Sequence, residues 1–340
     1  VRRSIVSLIF APVLLPALLW VTWGRGAIEQ KAGGDQPVLT VSPLPLPSPK
    51  VLQAYLGPFR MEGAWHIASP NGRFFGYSSL IAQADGHLLA FNDAGDTLSF
   101  AAPGTPAITP KVERLHLARR RADKSGRDIE SVTRDPATGR YWVGAEGSNQ
   151  ILRLSPKLKE TGYAAPKGMA GWGLNTGPEA MTRLPDGRFV TIREVTPSFT
   201  EARLHDALLF AGDPVEHPDG APFRFDGPDN FSVVDMAMLP DGRALILMRR
   251  LLWPAPMIFA GRIVIADTAR IRPGAVWKTA TLASLASVLP IDNFEALAAV
   301  PQPDGRIVVW IMSDDNNMRV LQRTLLWKLS VDPKALPWPR

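Results

Sequence analysis

The chemistry legible in this sequence lies in carboxylates that recur at one place relative to short turns. Glu130 and Glu146 flank Thr138-Gly139, Glu179 and Glu194 flank Asp186-Gly187, and Glu295 and Asp314 flank Asp304-Gly305. Residues equidistant from the turn of an antiparallel hairpin face each other. The spacing therefore predicts Glu179 opposite Glu194, Glu295 opposite Asp314, and Glu130 within one residue of Glu146. The same arithmetic sets Ser78 opposite Asp93 around Asp85-Gly86, and Asp235 within one residue of Arg249 around Asp241-Gly242. Like charges directly opposite on paired strands cost up to about 1 kcal/mol. Such pairs need compensation from raised pKa values, from Arg193, Arg249, Arg250 and Arg323, or from a bound cation.

Clustered carboxylate oxygens suit a hard divalent ion. Glu130, Glu146, Glu179, Glu194, Glu295 and Asp314 are thus the candidate metal ligands, with Ca²⁺ preferred to Mg²⁺. Glu179, Glu295 and Asp314 are the candidate catalytic carboxylates. A bound cation would activate water and offset charge developing on an ester oxygen. Arg249, Arg323 and Asn316 are the candidate contacts to an anionic substrate. The competing reading is structural: the acids cap strand ends and accept N–H bonds from the connecting loops.

Other chemistries lack a signature. There is no Gly-x-Ser-x-Gly elbow, HExxH, P-loop or Gly-x-Gly-x-x-Gly sequence. With no cysteine there is neither a disulfide framework nor a thiolate. His66, His87, His116, His205 and His217 are scattered without ligand spacing. The net charge of +6 has no basic helix with interleaved aromatics behind it, so nucleic acid is not an expected partner.

The acids must be positioned by strands. The turn dipeptides are each flanked by apolar or alternating runs, the strongest short-range hairpin signal. Residues 244–248 and 307–311 are apolar on both faces, as in strands covered on both sides. Five hairpins about fifty residues apart indicate repeated four-stranded blades. The expected fold is all-β, a β-propeller of five to six blades, the sixth depending on the N-terminal region. Outer strands are expected at 150–154, at 207–210 with 223–225, and at 262–265 with 275–279. Residues 280–288 read as a helical turn. Residues 324–329 are expected to pair with a strand near 61–68 and close the ring.

Before this unit, Arg2 and Arg3 precede an apolar run over residues 5–23, read as an export signal or, alternatively, an inner-membrane anchor. The expected division is signal or anchor 1–27, linker or edge segment 28–50, propeller 51–332 and tail 333–340. The expected location is periplasmic or secreted, with membrane contact only through an uncleaved N-terminus. Oligomeric state is not readable.

Several segments resemble the phytase-like, or "esterase-like activity of phytase", domain proteins of bacteria. They are Asp128-Ile129-Glu130-Ser131 with Tyr141 to Glu146, Gly177-Pro178-Glu179-Ala180-Met181, Leu239 to Arg243, and Asn293 to Leu297. The most specific is Ser313-Asp314-Asp315-Asn316-Asn317 followed by Gln322-Arg323-Thr324. The resemblance spans about 39–330 and implies an exported propeller-like protein with ester or phosphoester hydrolysis. The chain departs from the family where glycine usually follows the acid, carrying Glu130-Ser131, Glu179-Ala180 and Glu295-Ala296. Two readings follow: an exported, metal-dependent hydrolase, or a non-catalytic propeller binding a small ligand or envelope partner.

Overall fold

The computed structural model describes residues 38–339 except 84, 119–126, 174, 195–202 and 255–256. The turn dipeptides form the hairpins expected of them. Gly86, Gly139, Gly187, Gly242 and Gly305 have φ between 70° and 90°, open to glycine without a Cβ clash. Oδ1 of Asp85, Asp186, Asp241 and Asp304 accepts the N–H two residues on, at 3.0–3.1 Å. At the looser Thr138-Gly139 turn, Asp135 takes this part, accepting from the Ala137 N–H at 3.1 Å and the Thr138 hydroxyl at 2.7 Å.

Five sheets result. Blade 1 comprises Tyr77–Ala82, His87–Asn92, Asp96–Ala101 and Lys111–Arg114. Blade 2 comprises Ile129–Arg134, Tyr141–Ala145, Gln150–Leu154 and Glu160–Ala164. Blade 3 runs Pro178–Arg183, Phe189–Arg193, Leu204–Phe210, Ala221–Asp226, and blade 4 Ser232–Met238, Arg243–Pro254, Met257–Asp267, Ala280–Leu285. Blade 5 takes Asn293–Pro301, Ile307–Asp314 and Thr324–Val331, then Arg60–Ala68 from the N-terminal side, with Thr40–Pro43 at its edge. Met61 lies opposite Leu329 and Ile67 opposite Thr324, so the N-terminal strand closes the ring as expected. That strand completes blade 5, which removes the basis for a sixth blade.

The apolar faces explain why blades stack. Five buried clusters lie one at each junction between neighbouring blades. A strand between two such clusters must be apolar on both faces, as in Ile307–Asp314, buried throughout. Trp327 anchors the junction of blades 4 and 5, stacking edge-on against Phe294 at 4.7 Å and donating to Pro290 O at 3.0 Å.

Two outer elements differ from expectation. Ala280–Leu285 is a strand paired with Met257–Asp267, not a helical turn. Val276–Lys278 crosses to blade 3 and pairs in parallel with Ala221–Asp226. There Trp277 packs edge-on against Phe223 and Phe225 and is buried. The expected export signal or anchor, residues 1–27, lies outside the described residues. Among those described, no helix is long and apolar enough to cross a membrane.

Candidate functional site

In every blade the innermost strand carries a β-bulge near the end away from its turn. The bulged residues are Ser78, Glu130, Glu179, Val234 and Glu295. A bulge inserts one unpaired residue and re-aims its side chain. Two residues before each bulge, the backbone pairs with the second strand. Gly76 O accepts the Asp93 N–H, Asp128 O the Glu146 N–H and Gly177 O the Glu194 N–H, at 2.8–3.1 Å. Ser232 pairs with Arg249 and Asn293 with Asp314.

This corrects the cross-strand pairs expected from turn arithmetic. Glu194 faces Gly177 rather than Glu179, Glu146 faces Asp128 rather than Glu130, and Asp314 faces Asn293 rather than Glu295. The bulge absorbs a residue that simple counting assigns to the ladder. The acids still converge, because bulged residues of inner strands and terminal residues of second strands share one mouth of the ring. The Asp235 expectation also changes. Asp235 pairs with Leu247 and is buried, its carboxylate accepting the Met236 N–H at 2.8 Å and the Leu297 N–H of blade 5 at 2.7 Å. Burial raises its pKa well above the usual carboxylate range. It ties blades 4 and 5 together, away from the mouth.

The mouth encloses a cavity of about 220 Å³ lined by Ser78, Asp93, Asp128, Glu130, Glu146, Asn175, Glu179, Glu194, Arg249, Glu295, Asp314 and Asn316. Larger clefts exist, about 510 Å³ on blade 3 and about 490 Å³ at the opposite mouth. Neither gathers titratable groups as this one does. All six expected metal ligands line it, as do Arg249 and Asn316. Arg323 is not among the lining residues: its guanidinium lies 3.5 Å from Asp292. Asp128 and Asn175 carry no role in the sequence reading, and Asp93 enters it only as the partner of Ser78, whereas the bulge sets it opposite Gly76. Asp128 also carried a usable signal, two residues ahead of Glu130 where the inner strand begins.

Among the described residues, eight carboxylates thus meet one arginine. Arg249 donates to Asn293 Oδ1 at 3.0 Å and pairs with Glu295 at 2.8 Å and Glu194 at 3.1 Å. Burial opposes its charge, but Glu295, Glu194, Glu179 and Asp314 together raise its pKa, keeping it a fixed cation. Glu295 also accepts from Asn293 Nδ2 at 2.7 Å. Asp314 accepts the Asn316 N–H at 2.6 Å, and the Asn316 amide donates to Gln322 at 2.9 Å.

The remaining acids are under-compensated. Burial, then Glu146, Glu295, Asp128 and Asp93, raises the Glu130 pKa well above the usual range. Burial, then Glu194, Glu130 and Glu146, does the same to Glu179 against the opposing pull of Arg249. Burial, then Glu295 and Asp315, raises Asp314. Burial raises Glu194, with Arg249 opposing. Glu146 is pushed up to about 7 by burial despite accepting the Gly177 N–H at 3.1 Å.

Whether these residues fit a cation rests on three observations. Asp128, Glu130 and Glu146 each offer an oxygen within 4.8 Å of the others, and so do Glu146, Glu179 and Glu194. Glu179 Oε2 is buried and accepts no hydrogen bond. The donors are all oxygen, the set that hard divalent ions take. The residues fit such an ion, with Glu146 shared between the two groups.

Fold and site together define a five-bladed β-propeller with an acidic axial mouth. The chain belongs to the phytase-like family described as "Esterase-like activity of phytase", whose model matches residues 72–317. The match takes in all five inner strands and leaves out the closing strand Arg60–Ala68. Solved structures similar to the chain include the Myxococcus xanthus glutaminyl cyclase, at 13% identity and TM-score 0.45, covering 80% of this chain and 97% of that one. The Kuenenia stuttgartiensis hydrazine synthase has 12% identity and TM-score 0.37, covering 71% of this chain and 57% of that one. The RRP9 WD40 repeats have 8% identity and TM-score 0.41, covering 84% and 100%. A comparison with curated proteins found no match.

Proposed function

We propose that the chain is an exported, divalent cation-dependent hydrolase of phosphoesters or carboxylic esters, with the acidic mouth as its active site. The observation that carries this reading is the convergence of eight carboxylates and one arginine on a cavity of about 220 Å³. Asp128, Glu130, Glu146, Glu179 and Glu194 would hold the cation, Ca²⁺ suiting flexible carboxylate ligation better than Mg²⁺. The ion would supply Lewis-acid stabilisation of an ester oxygen and a more acidic bound water. Asp314, its pKa raised by burial and by Glu295, would accept a proton from water once ionised. Glu295 and Glu194 hold Arg249, so that arginine sets the charge of the wall rather than reaching freely for substrate. Arg323, half-exposed outside the cavity, and Asn316 on its wall are the remaining candidate contacts for the anionic part of a small substrate.

One observation favours a second reading, a non-catalytic propeller that binds a cation or small ligand for an envelope partner. The only cation among the described residues lining the cavity is already committed to two carboxylates. Purified protein assayed with calcium against a phosphomonoester, phytate and short acyl esters separates the two. The hydrolase reading expects turnover that a chelator abolishes and that Glu179→Ala or Glu295→Ala lowers about a hundredfold or more. Turnover indifferent to both substitutions would place the active site elsewhere. Calcium binding with no turnover on any of these esters would favour the second reading.

A further inference from the structure

The mouth at the turn end of the ring has the reverse chemistry of the acidic one. Its cavity holds about 490 Å³ and is walled chiefly by the inner strands of all five blades. Leu80, Val132, Leu184, Met236, Met238 and Leu297 belong to a mostly apolar wall, and among the described residues no carboxylate lines it. Its polar side chains are Thr133 and Arg134 from blade 2 and Thr182 and Arg183 from blade 3. Two cations therefore sit side by side on an otherwise neutral cavity.

Their charge is only loosely compensated. Among the described residues neither guanidinium donates a hydrogen bond or has a carboxylate within ion-pair distance. Arg134 lies over the Tyr141 ring at 5.7 Å, its Nε buried without an acceptor. The nearby acids are held elsewhere. Asp85, Asp186, Asp241 and Asp304 are paired with His87, Arg188, Arg243 and Arg306 of their own turns. Asp135 accepts from Thr138 and Ala137. Burial opposes its charge, while those two bonds and then Arg183 lower its pKa. Asp235, buried outside the lining, accepts the Met236 and Leu297 N–H groups, and burial favours its neutral form. Apolar cavities of roughly 300–1,000 Å³ with a few convergent polar groups are the usual sites of small ligands. At about 30 Å³ per water-sized group this one takes on the order of sixteen, matching a chain of about twelve carbons with its head group. Guanidinium forks select a carboxylate head.

We infer that this second mouth binds an amphipathic carboxylate, with its apolar chain in the axial cavity and its head at Arg134 and Arg183. The inference stands on this cavity alone and does not require the acidic mouth to be catalytic.

Calorimetric titration of the full chain with dodecanoate tests this, in chelator and below the micellar concentration. Chelator prevents calcium soaps and leaves the acidic mouth no cation that could bridge a carboxylate. One saturable site per chain is expected, with acetate and dodecyltrimethylammonium weaker by about tenfold or more. Arg134→Gln and Arg183→Gln should each weaken dodecanoate about tenfold while leaving thermal melting nearly unchanged, since neither guanidinium has a hydrogen bond to lose. Ala299→Phe, which adds bulk to the cavity wall, should abolish binding in a variant that still melts cooperatively. Absence of a saturable site would overturn the inference. So would dodecyltrimethylammonium binding as tightly as dodecanoate, which would assign uptake to apolar surface alone, or acetate binding as tightly, which would remove the role of the chain. Dodecanoate binding indifferent to both arginine substitutions would place the carboxylate elsewhere and overturn it too.

Discussion

At the residue scale, the defining feature is a set of carboxylates held where they are poorly compensated. Glu179 has a buried oxygen without a hydrogen bond and lies among Glu194, Glu130 and Glu146. Glu179→Gln keeps its shape and removes its charge. In chelator it should stabilise the protein by about 1–2 kcal/mol, while calcium affinity falls about tenfold or more. Paired thermal melts and a calcium titration check both. Loss of stability in chelator would show that the carboxylate serves the fold as an acceptor. Glu146 adds a pH dependence: its folded pKa of about 7 lies above the ordinary carboxylate value of 4.5. The folded state then holds more protons between those limits. Without a cation, stability should be fully present below about pH 4.5 and fall through pH 7, by on the order of 3 kcal/mol. Denaturant melts across that range in chelator test the sign, and a rise in stability would contradict it.

At the scale of the element, the repeated bulge turns five ordinary hairpins into a site. It was not legible in the sequence, because turn counting assumes an unbroken ladder. Counting therefore brought the acids to one mouth but paired them wrongly: Glu146 proved to face Asp128 rather than Glu130. Asn175 carried no pattern that separates it from ordinary loop residues. The bulge in blade 2 is held by close packing. Ser131 donates to Pro178 O of blade 3 at 2.5 Å, and a methyl group at Gly144 would meet that oxygen at 2.7 Å as well as the Ser131 hydroxyl. Gly144→Ala should destabilise by about 2 kcal/mol or more. It should also weaken calcium binding, because it pushes apart the strands that carry Glu130 and Glu179. Melting and titration of that variant give the answer, and wild-type values for both would mean that the junction of blades 2 and 3 tolerates movement.

For the whole molecule, the architecture was the most readable level. Asp-Gly dipeptides flanked by apolar runs mark hairpins through a local requirement for positive φ, and their regular spacing announces repetition. The closing contact between residues 61–68 and 324–329 was readable too, since a ring must cover its edges. A sixth blade was not distinguishable from a closing strand, and Val276–Lys278 was assigned to the wrong blade. Both errors concern which sheet a strand joins, and that is decided by long-range packing such as Trp277 between Phe223 and Phe225. Convergence of the acids is a property of the closed ring, so the central claim is that ring and cation stabilise each other. The direct measurement is thermal melting at about pH 8 with calcium and with chelator, repeated near pH 5. The account predicts a saturable rise in Tm with calcium near pH 8 that largely disappears near pH 5, where protons occupy Glu146 and its neighbours. Identical melting with calcium and with chelator near pH 8 would contradict it.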